Sequence, residues 1–415
     1  MFFLRAALVG AACVFCIARV QAVPVAAPSL RQAVQAVWES NPEVQASRAE
    51  WEAAQARVRA AGQPVYNPSL TLDAENADVD RRTAGVSLPL DLSGKRRARV
   101  SLAEAESRSR EASLELLRRD IASRWLKGWS AAALATRQRE LGEQRVTLMR
   151  RFDALAAERL AVGDISSPER DLAALALGEA QIQQASLVGN EATALSALQS
   201  VAGDAVKSAP ALPLELPPAS ADIEPRPVDS QPVLLKAQAD EASAQAAIDV
   251  ARRARVPDPT ISVTGGRVRT GAVTDQVIGL SVSVPLPVLN SGRAEVDAAL
   301  AEAGAAAASV RSQRQVAQAS LREAQSRYDA LRAAGRAFRD GRAAAFDDRA
   351  ILLEKLWRAG EISTSDYLVQ LKQSLDTALS ALALESQAWQ AWFDYLASAG
   401  RLTDWLEGRT QDVSP

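Results

Sequence analysis

One unit is written twice along this chain. Val162-Gly163-Asp164-Ile165-Ser166-Ser167 returns as Ala359-Gly360-Glu361-Ile362-Ser363-Thr364 at an offset of 197, and the same offset carries Glu169 to Asp366 and Val201-Ala202-Gly203 to Ser398-Ala399-Gly400. A register held without a gap over about 40 residues marks a duplicated supersecondary unit, so both halves must fold alike. Upstream, Ser40-Asn41-Pro42 parallels Ser230-Gln231-Pro232 at 190, Asn67-Pro68 parallels Asp258-Pro259 at 191, and Gly94-Lys95-Arg96 meets Gly292-Arg293-Ala294 at 198. The drift falls mostly between Pro68 and Gly94 and predicts longer turns in the second copy. The repeats span 23–207 and 233–400, joined by a proline-rich connector, 208–232, and followed by a tail, 401–415.

Each half reads in the same order. An alanine-rich helical tract comes first, from about Ser29 to Ala61 and from about Pro232 to Arg255, with Asn41-Pro42 a kink in the first copy. The period then changes to two. Leu70, Leu72 and Ala74 alternate with Ser69, Thr71, Asp73 and Glu75, and Ala84, Val86, Leu88 and Leu90 with Thr83, Gly85, Ser87 and Pro89. In the second half Ile261 and Val263 alternate with Thr260, Ser262 and Thr264, and Ile278, Leu280, Val282, Val284 and Leu286 with Gly279, Ser281 and Ser283. These are hairpins with one apolar and one polar face. Proline-free helical tracts follow, from about Gly94 to Leu160 and from about Ser291 to Arg358. Each would extend on the order of 100 Å, a length that calls for coiled-coil packing. Returning helices run from Pro168 to Ala202 and from Ser365 to Ala399.

Four such strands need a cover for their apolar faces, and no amphipathic segment is left to supply it. Lipid fits, because transmembrane barrel strands alternate apolar-out and polar-in. Four strands leave two open edges, which hydrocarbon does not tolerate, so closure demands oligomerisation. A soluble hairpin domain capping a coiled coil is the rival reading of the same pattern.

Composition narrows the chemistry. The chain has no histidine, and its two cysteines are Cys13 and Cys16. Triads with a histidine base, His/Cys zinc sites and redox cysteine pairs therefore have no raw material. The 48 basic residues against 50 acidic ones exclude a strongly basic nucleic-acid binder. Arg5 followed by the apolar run Ala6–Ala18 and the small residues of Val20-Gln21-Ala22 reads as a signal peptide over 1–22. Phe15 before Cys16 is bulky for a lipoprotein signal, and Cys13 comes early.

Two repeats of helix, hairpin, long helix, glycine turn and returning helix resemble the TolC-like outer-membrane efflux proteins over essentially the whole mature chain. Asn41-Pro42, Asn67-Pro68, Val162-Gly163 and Ala359-Gly360 carry the match. Leu88-Pro89-Leu90-Asp91-Leu92-Ser93-Gly94-Lys95-Arg96, with Val284-Pro285-Leu286-Pro287-Val288-Leu289-Asn290, is most similar to the CzcC-type branch that serves heavy-metal cation pumps. The resemblance implies a mainly α fold with a small β part. It also implies a homotrimer with a 12-stranded outer-membrane barrel and a periplasmic α-helical barrel, working with a periplasmic adaptor and an inner-membrane resistance-nodulation-division pump.

It further implies that the two turn motifs dock on the adaptor: Val162, Gly163, Asp164, Ile165 and Ser166, with Ala359, Gly360, Glu361, Ile362 and Ser363. The plainer reading is that the glycines supply positive φ and the serines cap the next helices. Glu169 and Asp366 match the acidic entrance constriction of the family, or are first-turn acids favoured by the helix dipole. Ile362 stands where the best-known member has an arginine in its gate, so that salt-bridge lock does not carry over.

Lys95-Arg96-Arg97 with Arg99 reads either as a membrane-interface anchor or as a solvated helix start, and Trp125, Trp129, Trp357, Trp389 and Trp392 as packing anchors. The functional expectation is a passive export duct, with no catalytic residues, cofactor or bound metal. A periplasmic coiled-coil adaptor or scaffold is the alternative, and composition alone leaves Asp/Glu hydrolysis open. His, Cys and Met are the usual soft-metal ligands, and the mature chain keeps one, Met149, so cargo should be held weakly.

Overall fold

In the first repeat, Asn41 and Pro42 together end one helix and start another. Asn41 takes an extended conformation, and its side-chain oxygen accepts the backbone N–H groups of Glu43 (2.9 Å) and Val44 (3.3 Å). Its amide nitrogen donates to the Val201 carbonyl at 3.1 Å. The expected kink is thus a full break between α1 (Pro28–Ser40) and α2 (Pro42–Ala61). Proline at N1 loses no helix hydrogen bond, and the asparagine satisfies the orphan donors behind it. The computed structural model describes residues 28–76, 78–203, 210–341 and 346–408. The signal-peptide reading of residues 1–22, the first residues of the connector and the end of the tail lie outside them.

Hairpin β1 (Ser69–Asn76) and β2 (Val79–Pro89) leads into α3 (Lys95–Ala161), a single helix of 67 residues, and back through α4 (Ser167–Ala202). The second repeat runs α5 (Pro232–Ala254), β3 (Thr260–Thr270), β4 (Val273–Ser283), α6 (Arg293–Asp340), α7 (Phe346–Arg358) and α8 (Thr364–Ser398), followed by α9 (Leu402–Glu407). The helical tract expected without interruption from Ser291 to Arg358 is divided. Gly341 leaves α6 in an extended conformation (φ −83°, ψ 161°), and residues 342–345 lie outside the described set. A tract without proline need not be one helix, because glycine also ends helices.

The drift between repeats does not come from the turns, since two residues separate the strands in each hairpin. It comes from β3, with 11 residues against 8 in β1, and from a longer segment between β4 and α6 than between β2 and α3.

Side chains from both repeats share one aromatic core. Trp125 and Trp129 of α3 meet Trp389, Trp392 and Phe393 of α8, Tyr328 of α6 and Trp405 of α9, with Leu30, Val34 and Val37 of α1 beneath them. Trp125, Trp129, Trp389 and Trp392 are packing anchors here, as is Trp357 in the second core. The connector is tied to this core. Trp129 Nε1 donates to the Pro210 carbonyl (2.7 Å), Tyr395 donates to those of Ser220 and Ile223, and Arg226 forks onto buried Asp404 at 2.7 and 3.0 Å. A smaller core at the far end of the helices gathers Phe152, Trp357, Tyr367, Met149 and Leu371.

The four strands form one antiparallel sheet in the order β1-β2-β3-β4. Its register aligns the apolar residues of both repeats in rows. Leu70, Val86, Val263 and Leu280 make one, and Leu72, Ala84, Gly265 and Ile278 the next. Ser69, Ser87, Ser262 and Ser281 align on the other face. Every residue of β1 and β4 is solvent-exposed in the single chain.

Candidate functional site: the helical tips and the open sheet

Both tips close with the same backbone geometry. Gly163 sits at φ +81° and Gly360 at φ +74°, in the left-handed region open to glycine. At the first tip, Asp164 N–H bonds the Arg159 carbonyl (2.9 Å) and Gly163 N–H that of Leu160 (3.1 Å). At the second, Glu361 N–H bonds the Leu356 carbonyl (2.9 Å) and Gly360 N–H that of Trp357 (3.0 Å). This pairing consumes the last helical carbonyls and turns the chain sharply. A Cβ on either glycine would meet no atom within 4 Å, so the space above both turns is open.

The first returning helix is capped through Glu169 and the second by Ser363. Glu169 accepts from Ser166 N–H and Oγ, both at 2.8 Å, and Ser363 Oγ accepts from Asp366 N–H at 3.0 Å. Of the ten turn residues singled out, Val162, Gly163, Asp164, Ser166, Ala359, Gly360, Glu361 and Ser363 are exposed. Ile165 and Ile362 instead pack against the Phe152–Trp357–Tyr367 core, holding each turn down.

A polar chain joins the two tips. Arg159 donates to the carbonyls of Trp357 (3.4 Å) and Arg358 (3.3 Å), with its guanidinium 4.8 Å from the Trp357 ring centre. Trp357 Nε1 donates to buried Thr364 Oγ1 at 3.2 Å. The Glu169 carboxyl is held below the usual glutamate range, first by the backbone N–H of Ser166, then by the Ser166 hydroxyl, and further by the Thr364 hydroxyl of the other repeat. Glu169 is therefore a cap and a bridge between tips, and Asp366 remains exposed.

At the other end, the basic cluster divides. Lys95 turns inward onto buried Asp258 at 2.7 Å, and Tyr66 donates to the same carboxylate oxygen. This triad, joining the entries to β1, β3 and α3, went unread in the sequence. Its one visible signal was an aspartate where the first repeat has Asn67. Arg253 in the last turn of α5 and Arg255 just after it donate to the carbonyls of Ser93 and Ser291, holding the glycine turns at Gly94 and Gly292.

The sheet is the least ordinary surface. Leu70, Leu72, Val86, Leu88, Ile261, Val263, Ile278, Leu280 and Val282 are all exposed on its apolar face. At about 1.5–3 kcal/mol for each large apolar side chain, leaving them in water forgoes on the order of 20 kcal/mol. Among the described residues nothing covers them.

The model of the outer membrane efflux protein family matches residues 33–204 and 228–400, one match per repeat. The chain belongs to that family. This efflux-family chain is 25% identical over 248 residues to the cobalt-zinc-cadmium resistance protein of Cupriavidus metallidurans, an alignment covering 58% of each chain. It is also 25% identical over 293 residues to the nickel-cobalt-cadmium resistance protein of Alcaligenes xylosoxydans xylosoxydans, covering 66% of each. The alignments thus span less than two thirds of these relatives' lengths. In fold it is similar to the open-state Neisseria gonorrhoeae MtrE outer membrane channel (TM-score 0.73, 18% identity, covering 93% of this chain and 94% of that one). The family and fold are those of an outer-membrane channel rather than an enzyme. As a member of that family the protein belongs to the outer membrane and extends into the periplasm. Among the described residues no helix is long and apolar enough to cross a membrane.

Proposed function

We propose that the protein is the outer-membrane duct of a tripartite efflux system, passively conducting exported metal cations delivered by a pump and a periplasmic adaptor. The observation that carries this reading is the four-stranded sheet, apolar on one face, polar on the other, with unpaired edges at β1 and β4 in the single chain. Three copies set edge to edge give twelve strands, a closed barrel and a bore lined by Ser69, Ser87, Ser262, Ser281 and their neighbours. The duct has no catalytic step and no cofactor; the pump supplies the energy. Metal cargo is supported by the two relatives, which are named for resistance to cobalt, cadmium, zinc and nickel.

The tips are the adaptor-docking ends. Open space above Gly163 and Gly360, and exposed Val162, Asp164, Ser166, Ala359, Glu361 and Ser363, support that role. Glu169 and Asp366 lie one helical turn behind them and bias the entrance toward cations in threefold symmetry. The test is fractionation followed by transport. A heat-modifiable trimer in outer-membrane fractions, together with cadmium or cobalt resistance that needs pump, adaptor and this chain at once, is the expected result. A freely soluble periplasmic monomer defeats it.

A further inference from the structure

The apolar face of the sheet ends in a row where two arginines stand opposite one another. Moving away from the helices, the rows on this face are Leu88, Ile261 and Val282, then Leu70, Val86, Val263 and Leu280, then Leu72, Ala84, Gly265 and Ile278. The next row is Ala74, Arg82, Arg267 and Gln276, with Arg82 and Arg267 direct cross-strand partners. Both are exposed.

Like charges directly opposite on adjacent strands destabilise a sheet. Arg82 has a partial answer in Asp80, two residues along the same strand, at 3.3 Å. Arg267 has no carboxylate partner among the described residues, and Arg269, one row further out, spends its Nε on the Gly271 carbonyl. On the lumen face the situation differs. Arg81 stands between Glu75 and Val268 in the register, so a carboxylate neighbours it within the sheet. The missing counter-charge belongs to the lipid-facing side alone.

Height along the barrel selects the counter-ion. Six residues separate Ile261 from Arg267, roughly 20 Å along a strand. With strands tilted by about 35–45° it becomes roughly 15 Å of height, and exposed Val284 and Leu286, on the helix side of Val282, take up the rest of an apolar band about 25 Å tall. The guanidinium groups therefore reach headgroup level at the outer rim, and their stems cover the last of the apolar surface. The Arg267 fork can give a phosphate two parallel N–H donors, and Arg82, whose Nε and Nη2 point at the two oxygens of Asp80, keeps its remaining N–H groups for the same phosphate.

We propose that Arg82 and Arg267, three pairs around the closed barrel, bind the phosphate groups of the outer-leaflet glycolipid. The site rests on the barrel reading above. Bound phosphate would relieve the arginine–arginine repulsion, so the lipid completes the sheet at this row.

The test uses the full-chain trimer in phosphatidylcholine vesicles containing bisphosphorylated lipid A, dephosphorylated lipid A, or neither. The site calls for selective retention of the bisphosphorylated lipid, with R267Q weakening it roughly tenfold and R82Q/R267Q further, while R81Q leaves it unchanged. In phosphatidylcholine alone, R267Q should dissociate on heating no earlier than the wild type, and in bisphosphorylated lipid A that order should reverse. Equal retention of dephosphorylated lipid, or undiminished retention by the double variant, overturns the site. An equal gain in heat stability from inorganic phosphate without lipid A makes it a free-anion site and overturns the lipid assignment. Failure of the wild-type chain to insert into any vesicle overturns the barrel reading and this site with it; insertion without phosphate dependence overturns the site alone.

Discussion

Arg159 of the first repeat caps the end of α7 in the second, donating to the carbonyls of Trp357 and Arg358 with its guanidinium over the Trp357 ring. At the equivalent place in the second repeat, 197 positions on, stands Leu356, so the clamp runs in one direction only. A duplicated fold has acquired a one-sided lock between its two tips. The cation at a helix C-terminus and over an aromatic face is favourable on both counts.

Arg159→Ala should release that lock. The expected loss is about 1–2 kcal/mol of tip order, seen as faster protease cleavage near Gly360 and roughly tenfold weaker binding to the adaptor, with the trimer intact. Arg159→Lys keeps the charge but loses the fork and should fall between. Unchanged cleavage and binding in both variants would show that the tips are held without Arg159.

Gly163 and Gly360 separate conformation from space. Asparagine tolerates positive φ better than other residues with a Cβ, so Gly163→Asn tests backbone demand, whereas Gly163→Trp fills the open space as well. Adaptor docking over the turn predicts that tryptophan abolishes metal resistance and asparagine retains most of it, with both variants trimeric. Equal resistance in the two, at wild-type level, removes the docking assignment.

Asp258 is nearly buried and holds Lys95 at the junction of sheet and helices. Asp258→Ala should cost about 3–5 kcal/mol, because it strands a cation with little access to water. Lys95→Met/Asp258→Leu should recover much of that loss. Heat dissociation of the trimer reads both, and additive losses would mean that the two residues act independently.

Glu169 should keep its charge in mild acid. Its carboxyl is held below the ordinary range by Ser166 and Thr364, so its capping contribution is present above that range and disappears only as pH falls through the lowered value. Cation selectivity in planar bilayers should therefore hold from pH 7 to pH 5 in the wild type, and Glu169→Gln should reduce it throughout. Selectivity that collapses already near pH 5, or is untouched by the substitution, places the entrance bias elsewhere.

The repeat, the order of elements and both glycine turns were legible because each rests on local chemistry: a period of two or of 3.6, a positive φ, a serine before an acid. The break at Asn41 was half legible, since the proline was visible but the Val201 carbonyl that completes the cap lies 160 residues away. The end of α6 at Gly341 was legible in principle and missed by searching for proline. Trp357 could be read as a packing anchor, yet nothing in its own repeat announces Arg159.

By itself the sequence determined a duplicated helix–hairpin–helix unit whose strands have an apolar face with nothing in the chain to cover it. That follows from the hydrophobic period of two and from the lack of an amphipathic segment left over to cover it. Only the tertiary structure decided which residues cross between the repeats: Arg159 onto Trp357, Glu169 toward Thr364, Lys95 onto Asp258, Arg82 opposite Arg267. Those pairings depend on strand register and on how the helices of one repeat lie against the other. Contacts between residues far apart in sequence carry no local signature, because their energy is realised only when both elements are already in place.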